Sequence, residues 1–134
     1  MSGYEQPPER ILRIFLCDDV AELRHMIRAE LEMHPGFEVV GEAGDGLAGV
    51  RGVAITRPDV VLLDLSMPGL DGLEAIPLIH VESPDTRIVV FSGFAMDPIG
   101  QRALALKATR YVSKTESMEV LRSAILEAAA EPAA

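Results

Sequence analysis

The residues of this sequence that could do chemistry together each stand at the end of a short apolar stretch: Asp18, Asp19, Asp64, Ser92 and Lys114. Carboxylate oxygens are the ligands that Mg²⁺ takes in proteins, and a lysine ammonium is a compact positive charge suited to an anionic group. Such a set fits a site where a carboxylate attacks phosphorus while a cation and an ammonium neutralise the phosphoryl oxygens. Whether these side chains meet depends on the elements that carry them.

Apolar stretches alternate along the chain with stretches of helical spacing. The predicted strands lie at 11–17, 37–41, 60–63, 87–91 and 111–113. The predicted helices lie at about 23–31 and 47–54, from 72 through 79, at 98–107, and from 117 onwards. Strands without polar alternation, each followed by a helix, indicate a parallel sheet with helices on both faces. We therefore predict a three-layer, doubly wound (βα)₅ fold.

The helical spacing also predicts which apolar side chains face the core: Leu23, Met26, Ile27, Leu31, Leu47, Val50, Val53, Ala54, Leu73, Ile76, Ile79, Val120, Leu121, Ala124, Ile125 and Ala128. Gly46, Gly49 and Gly52 make the second helix intrinsically weak. Pro77 is expected to kink the third helix or to cost it one backbone hydrogen bond.

The strand order decides whether the polar residues converge. In an open parallel sheet the carboxyl ends of the strands lie along one edge, and ligands bind where the strand order reverses. With the order 2-1-3-4-5, Asp18, Asp19 and Asp64 would share one crevice, with Ser92 and Lys114 on its rim.

Two carboxylates about 4 Å apart repel by roughly 4 kcal/mol at an effective dielectric near 20. A hard divalent cation is the natural compensation, and Mg²⁺ is the predicted cofactor.

Taken together, the motifs resemble a response-regulator receiver domain of two-component signalling. They are Asp18-Asp19, the run DLSMPGLDG at 64–72, Ser92-Gly93, and the run YVSK at 111–114. The resemblance covers residues 10–130, and the stretches AGDG at 43–46 and PDVVLLD at 58–64 are most similar to the NarL/FixJ-type subgroup. It implies the flavodoxin-like fold of CheY-like receivers. In this subgroup glycines often stand where this chain has Lys107 and Arg110, so we expect a stiffer loop before the fifth strand.

The resemblance further implies that Asp64 accepts a phosphoryl group from a sensor histidine kinase or a phosphotransfer protein. It implies Mg²⁺, for which Mn²⁺ can substitute, bound by Asp19, Asp64 and the main-chain carbonyl of Ser66, and by Asp18 through water. Ser92 and Tyr111 would form the switch that alters the surface of the fourth helix, the fifth strand and the fifth helix. That surface would signal to a partner, to a second copy on activation, or to a DNA-binding output domain that regulates transcription. The chain would be a phosphoprotein that catalyses only its own phosphorylation and dephosphorylation.

Composition limits the other function classes. The chain has 134 residues, a formal net charge of -9 and one cysteine, Cys17. A surplus of acidic residues argues against direct binding to nucleic acid or an anionic membrane, and no signal peptide or spanning segment is evident. We predict a cytoplasmic domain at 10–130, after a flexible lead-in at 1–9 and before a tail or linker at 131–134.

Several of these residues have ordinary structural alternatives. Asp19 and Glu22 are spaced as a capping box for the first helix. Ser92 could bond its own backbone in a turn, and Tyr111 could simply be half-buried. Arg24 and Arg28, one turn apart, are expected on a solvated face that could border a kinase-docking surface.

Two other functions stay open for the whole chain. One is a receiver-like interaction module that works without phosphate. The other is a phosphatase that forms an aspartyl phosphate, although Ser66 stands where such enzymes carry their general acid.

Overall fold

Five strands alternate with five helices in the computed structural model, which describes residues 10–93 and 98–132. The strands are β1 (Leu12–Cys17), β2 (Phe37–Ala43), β3 (Val60–Leu63), β4 (Arg87–Ser92) and β5 (Arg110–Ser113). The helices are α1 (Ala21–Glu32), α2 (Gly46–Thr56), α3 (Gly72–Glu82), α4 (Pro98–Ala105) and α5 (Met118–Ala130). The predicted alternation is confirmed, with bounds that shift by a few residues. The predicted lead-in at 1–9 lies outside the described residues.

The strands form one parallel sheet in the order β2-β1-β3-β4-β5, which confirms the predicted topology. The register pairs Cys17 with Leu63, so β1 and β3 end at the same level. Ser92 and Ser113 are paired likewise at the ends of β4 and β5. The residues that follow these strands therefore leave the sheet along one edge.

Alternate strand residues supply two core layers. One layer lies under α2, α3 and α4 and includes Phe15, Cys17, Val61, Leu63, Ile88 and Val90. The other lies under α1 and α5 and includes Ile14, Leu16, Leu62, Val89 and Phe91. Successive side chains of a strand point to opposite faces, and helices cover both faces of this sheet. Residues 14–17, 61–63 and 88–91 are therefore apolar at every position.

Three side chains predicted to face the core are instead exposed: Met26 by 49%, Leu47 by 50% and Val120 by 42%. For α2 the reason is that its glycines form part of the buried face. A Cβ on Gly49 would lie 2.4 Å from the Sγ of Cys17, so the helix backbone approaches β1 more closely than any side chain would allow. The glycines that lower the helix propensity of α2 thus also allow it to pack closely on the sheet.

Helix α3 begins as predicted and continues through Pro77 to Glu82. A capping box closes its first turn: the Asp71 carboxylate accepts from the Glu74 N–H at 2.9 Å, and Glu74 accepts from the Asp71 N–H at 3.1 Å. None of the helices in the described ranges is long and apolar enough to cross a membrane.

Candidate functional site

Asp18 and Asp64 are the first residues beyond β1 and β3, and main-chain hydrogen bonds hold both in place. The N–H of Asp18 donates to the carbonyl of Ala43 at 3.0 Å, and the N–H of Asp64 donates to the carbonyl of Cys17 at 2.9 Å. Their exposed fractions are only 5% and 4%, although both are acids. The sheet therefore carries two carboxyl groups into a buried position, where an unpaired charge is costly.

Asp19 completes a cluster of three acids at this edge of the sheet. Each of Asp18, Asp19 and Asp64 offers a carboxylate oxygen, and these atoms all lie within 4.8 Å of one another. Asp19 itself is exposed. The convergence predicted from the sequence is confirmed in the structure.

Lys114, the first residue beyond β5, lies between the two buried acids. Its Nζ is 2.7 Å from Asp18 Oδ2 and 3.3 Å from Asp64 Oδ2. Its own N–H donates to the carbonyl of Ser92 at 2.7 Å, which fixes the end of β5 against β4. Burial acts to lower the pKa of the Lys114 ammonium, but the two carboxylates outweigh burial and the pKa is raised. Lys114 is therefore a permanent cation at neutral pH.

The carboxyl group of Asp64 is held in balance between opposing effects. Burial and then the like charge of Asp18 raise its pKa, while the Ser66 N–H, which donates to Asp64 Oδ1 at 3.2 Å, and the Lys114 ammonium lower it. The net pKa lies above its usual range. A further positive charge at this carboxyl group would favour its ionised form.

The loop after β3 returns close over Asp64 because Gly72 carries no side chain. A Cβ at Gly72 would lie 2.3 Å from the main-chain oxygen of Asp64. The Gly72 N–H donates to the carbonyl of Leu65 at 3.1 Å, which closes the loop before α3 begins. The Ser66 N–H is consequently directed at the Asp64 carboxylate.

A cleft of about 410 Å³ opens above the acids and is lined by Asp19, Asp64, Ser66, Gly93 and Lys114. Ser92 is fully buried as the last residue of β4 and lies outside this lining, whereas Gly93 borders the cleft. Tyr111 is half-buried; it packs on the core layer under α2, α3 and α4 and lines a groove between β5 and α5. The lining thus includes four predicted site residues: Asp19, Asp64, Ser66 and Lys114. Asp18 is buried beside it against Lys114, and Ser92 and Tyr111 lie outside it.

Two structural alternatives from the sequence are corrected here. The N-cap of α1 is Val20 and makes no side-chain cap bond, so the Asp19–Glu22 capping box does not form. Arg24 does not lie on a solvated face, since its side chain is only 16% exposed and its Nε donates to Glu42 Oε1 at 2.8 Å. No local pattern indicates this pair, because Glu42 lies on β2, 18 positions from Arg24.

Comparison with protein families gives a match over most of the chain. A family model described as "Response regulator receiver domain" matches residues 14–126. The transcriptional regulatory protein LiaR of Bacillus subtilis is 38% identical over 115 residues, covering 86% of this chain and 54% of LiaR. The nitrate/nitrite response regulator protein NarL of Escherichia coli strain K12 is 38% identical over 117 residues, covering 87% of this chain and 54% of NarL. The chain therefore spans about half the length of these relatives.

A relative with a different kind of name has the same identity over a shorter part of the chain. Protein-glutamate methylesterase/protein-glutamine glutaminase 3 of Myxococcus xanthus is 38% identical over 109 residues, covering 79% of this chain and 30% of that protein. Among solved structures, the signal receiver domain of the putative response regulator NarL of Mycobacterium tuberculosis superposes with a TM-score of 0.86 at 28% identity, covering 92% of this chain and 99% of that one. The response regulator domain of Thermotoga maritima CheB gives 0.84 at 30% identity, covering 92% and 100%.

Proposed function

The chain belongs to the response regulator receiver domain family, and we propose that Asp64 is the residue that accepts its phosphoryl group, in a reaction that depends on Mg²⁺. The observation that carries this proposal is the position of the Lys114 ammonium, 2.7 Å from Asp18 and 3.3 Å from Asp64. A lone structural ion pair needs one acid. Here one ammonium faces two buried acids with a third beside them, so the site holds negative charge that a further cation is suited to balance.

The donor set fits a hard divalent cation. Three carboxylate oxygens within 4.8 Å of one another are ligands of the type that Mg²⁺ and Mn²⁺ take. The ligands would be the side chains of Asp19 and Asp64 and the main-chain carbonyl of Ser66, with Asp18 bound through water. When bound, Mg²⁺ supplies positive charge that neutralises the oxygens of the transferred phosphoryl group.

In this proposal Asp64 is the nucleophile. Its carboxylate oxygen attacks the phosphorus of a phosphohistidine on a sensor histidine kinase or phosphotransfer protein. The P–O bond forms as the P–N bond breaks, and the imidazole leaves with the electron pair. Lys114 then pairs with a phosphoryl oxygen, and the charge of Asp18 keeps that ammonium in place. Hydrolysis of the acyl phosphate resets the domain, so the chain catalyses only its own phosphorylation and dephosphorylation.

The signal would leave through Ser92 and Tyr111. The hydroxyl group of Ser92 donates to a phosphoryl oxygen once the acyl phosphate has formed, and Tyr111 turns inward in response. The sheet links these residues, since Ser92 pairs with Ser113 and Tyr111 pairs with Val90. The repacked surface is that of α4, β5 and α5. A local change in charge thereby biases a two-state element.

The readout of the signal is proposed from the named relatives. LiaR and NarL are called regulators of transcription or of a nitrate response, and both are about twice as long as the matched region. We infer that this domain acts in the cytoplasm, and that its activated surface forms a homodimer or works on a DNA-binding part of a longer polypeptide. The methylesterase relative suggests an alternative readout, in which the activated domain would control an enzyme in the same polypeptide.

Phosphorylation with acetyl phosphate tests the proposal. The unaltered chain should gain one phosphoryl group in Mg²⁺ and none in EDTA, measured by intact mass. The variant Asp64→Asn should gain none, while Asp85→Asn, which changes an exposed acid of the same type, should behave as the parent. A parent that takes no phosphoryl group would favour an interaction module that works without phosphate. Multiple turnover of a small phosphoester would instead favour a phosphatase.

A further inference from the structure

Arg24 lies behind the acid cluster, outside the lining of the cleft, and joins it to β2. We propose that Arg24, anchored by Glu42, is a positioning residue that sets the peptide between Asp18 and Asp19 for binding of the divalent cation. The inference rests on the proposed cation-dependent function and assigns part of that function to a pair of residues outside the lining of the cleft.

The contacts of Arg24 run in two directions. Its Nε donates to Glu42 Oε1 at 2.8 Å, and its Nη1 donates to the main-chain carbonyl oxygen of Asp18. The side chains of Arg24 and Glu42 are only 16% and 20% exposed. The N–H donors of a guanidinium lie in one plane at fixed angles. The bond to Glu42 therefore fixes the direction from which Arg24 donates to the Asp18 carbonyl.

Strand β2 thereby holds both main-chain polar groups of Asp18. The Asp18 N–H donates to the carbonyl of Ala43, and the Asp18 carbonyl accepts from Arg24, whose partner Glu42 is the residue just before Ala43. The Asp18 side chain is fixed as well, because its Oδ1 accepts from the Val20 N–H at 2.9 Å and its Oδ2 faces Lys114. Asp18 is therefore held at four points.

Asp19 depends on this arrangement more than its neighbours do. Within residues 10–93 and 98–132, no group donates a hydrogen bond to its exposed carboxylate. Its place is consequently set by the peptide that joins it to Asp18, and the oxygen of that peptide is the one that Arg24 binds. Loss of the bond would leave Asp19 free to swing away from Asp64.

Because Arg24 carries a positive charge, the direction in which Mg²⁺ affinity changes in an Arg24 variant tests the inference. The guanidinium of Arg24 contacts the carbonyl oxygen of Asp18, and Arg24 lines one void of about 10 Å³ together with Asp18 and Asp64, so the guanidinium is close enough to repel a bound cation. Removing the charge alone would tighten Mg²⁺ binding, whereas removing the positioning bond would weaken it. Groups that orient the ligands of a metal typically change its affinity by about 10–100-fold.

The test is an NMR titration of the full chain with MgCl₂, following the amide signals of Asp19 and Asp64. We expect Arg24→Gln to bind Mg²⁺ about tenfold more weakly than the parent. Glu42→Gln keeps the charge of Arg24 but weakens its anchor, since a neutral amide oxygen accepts a weaker hydrogen bond from a guanidinium than a carboxylate does. It should shift the affinity in the same direction, and it supports the inference if Arg24→Gln proves unfolded by circular dichroism. Arg28→Gln is the matched control, since Arg28 bonds the same Glu42 at 2.6 Å. It should bind Mg²⁺ at least as tightly as the parent.

The outcomes separate the two proposals. Equal or tighter binding in both Arg24→Gln and Glu42→Gln, with normal binding in the parent, would overturn the positioning role and leave the proposed function intact. Equal weakening in Arg28→Gln would also overturn it, because the effect would then follow from general loss of stability. A parent in which Asp64 shows no response to Mg²⁺ would overturn the proposed function, and the inference with it.

Discussion

Lys114, beyond the edge strand β5, places its ammonium 2.7 Å from Asp18, beyond β1, although β4 and β3 lie between those strands. The ion pair therefore spans the carboxyl edge of the sheet and passes Asp64 on the way, at 3.3 Å. The two acids share one cation, so we expect the stability of this edge to depend on it.

Replacing Lys114 by Met should destabilise the chain in a manner that Mg²⁺ corrects. Without the ammonium the buried carboxylates of Asp18 and Asp64 repel one another unpaired, which we expect to cost about 2 kcal/mol in EDTA. Excess Mg²⁺ should recover most of that loss, because the cation compensates the same charges. Urea unfolding in the two buffers measures both values.

The matched control for Lys114→Met is Arg122→Met, which removes an ion pair with Glu30 of 3.5 Å remote from the cluster. Its loss should be small and equal in both buffers. A Lys114→Met chain whose loss is the same with and without Mg²⁺ would mean that the ammonium and the cation do not serve the same carboxylates.

Lys107 has a φ of 78°, in the left-handed region that glycine adopts without strain. Lys107→Gly should therefore stabilise the chain by about 1 kcal/mol, since a side chain there costs of that order. Lys107→Ala, which keeps the Cβ, should give no such gain. A thermal melt in which both variants behave alike would show that the backbone of this loop is not strained.

The loop at Lys107 is one feature that the sequence partly predicts. The resemblance to receivers of the NarL/FixJ type marks this position as one where glycine is common, and the positive φ explains that preference. The alternation of apolar stretches predicted a parallel sheet with helices on both faces, because that follows from local pattern and general topology. The strand order 2-1-3-4-5, which was assumed for the site and is implied by the resemblance, brings Asp18 to Asp64.

Features that depend on close tertiary approach were not predictable in this way. The spacing of α2 placed Leu47 inward, yet the helix is seated through glycine and Leu47 turns outward. The spacing of Arg24 and Arg28 suggested a solvated face, because nothing local marks Glu42 as the partner of Arg24. Helical periodicity identifies a buried face from its apolar side chains. It therefore does not detect a buried face that is made of glycine backbone or of an ion pair.

Gly49→Ala should destabilise the chain even though alanine is the better helix former. The new Cβ would lie 2.4 Å from the Sγ of Cys17, and relieving that overlap in a packed core costs about 1–3 kcal/mol. Removing the sulfur should restore room, so Gly49→Ala combined with Cys17→Ala should lose less than the sum of the single variants. Strict additivity in urea unfolding would indicate that the two residues do not meet.

Stability should depend on Glu42 in acid. The hydrogen bond from Arg24 is the main reason that the pKa of Glu42 lies below its ordinary value of 4.5. A lowered folded-state pKa stabilises the fold above the unfolded pKa, and that contribution disappears as the pH falls through the folded value. Glu42→Gln should therefore be less stable than the parent at pH 7, with a difference that shrinks below about pH 4.5. A difference that is constant from pH 7 to pH 3 would contradict the assigned cause.

The central claim, that Asp64 accepts the phosphoryl group, is tested most directly by locating the modification. The chain is phosphorylated with acetyl phosphate in Mg²⁺, the acyl phosphate is reduced with borohydride, and the peptides are sequenced by mass spectrometry. We predict that reduction converts Asp64 alone, leaving Asp18 and Asp19 unchanged. Conversion of either of those acids instead of Asp64, or a phosphoryl group found on a histidine such as His25, would contradict the account.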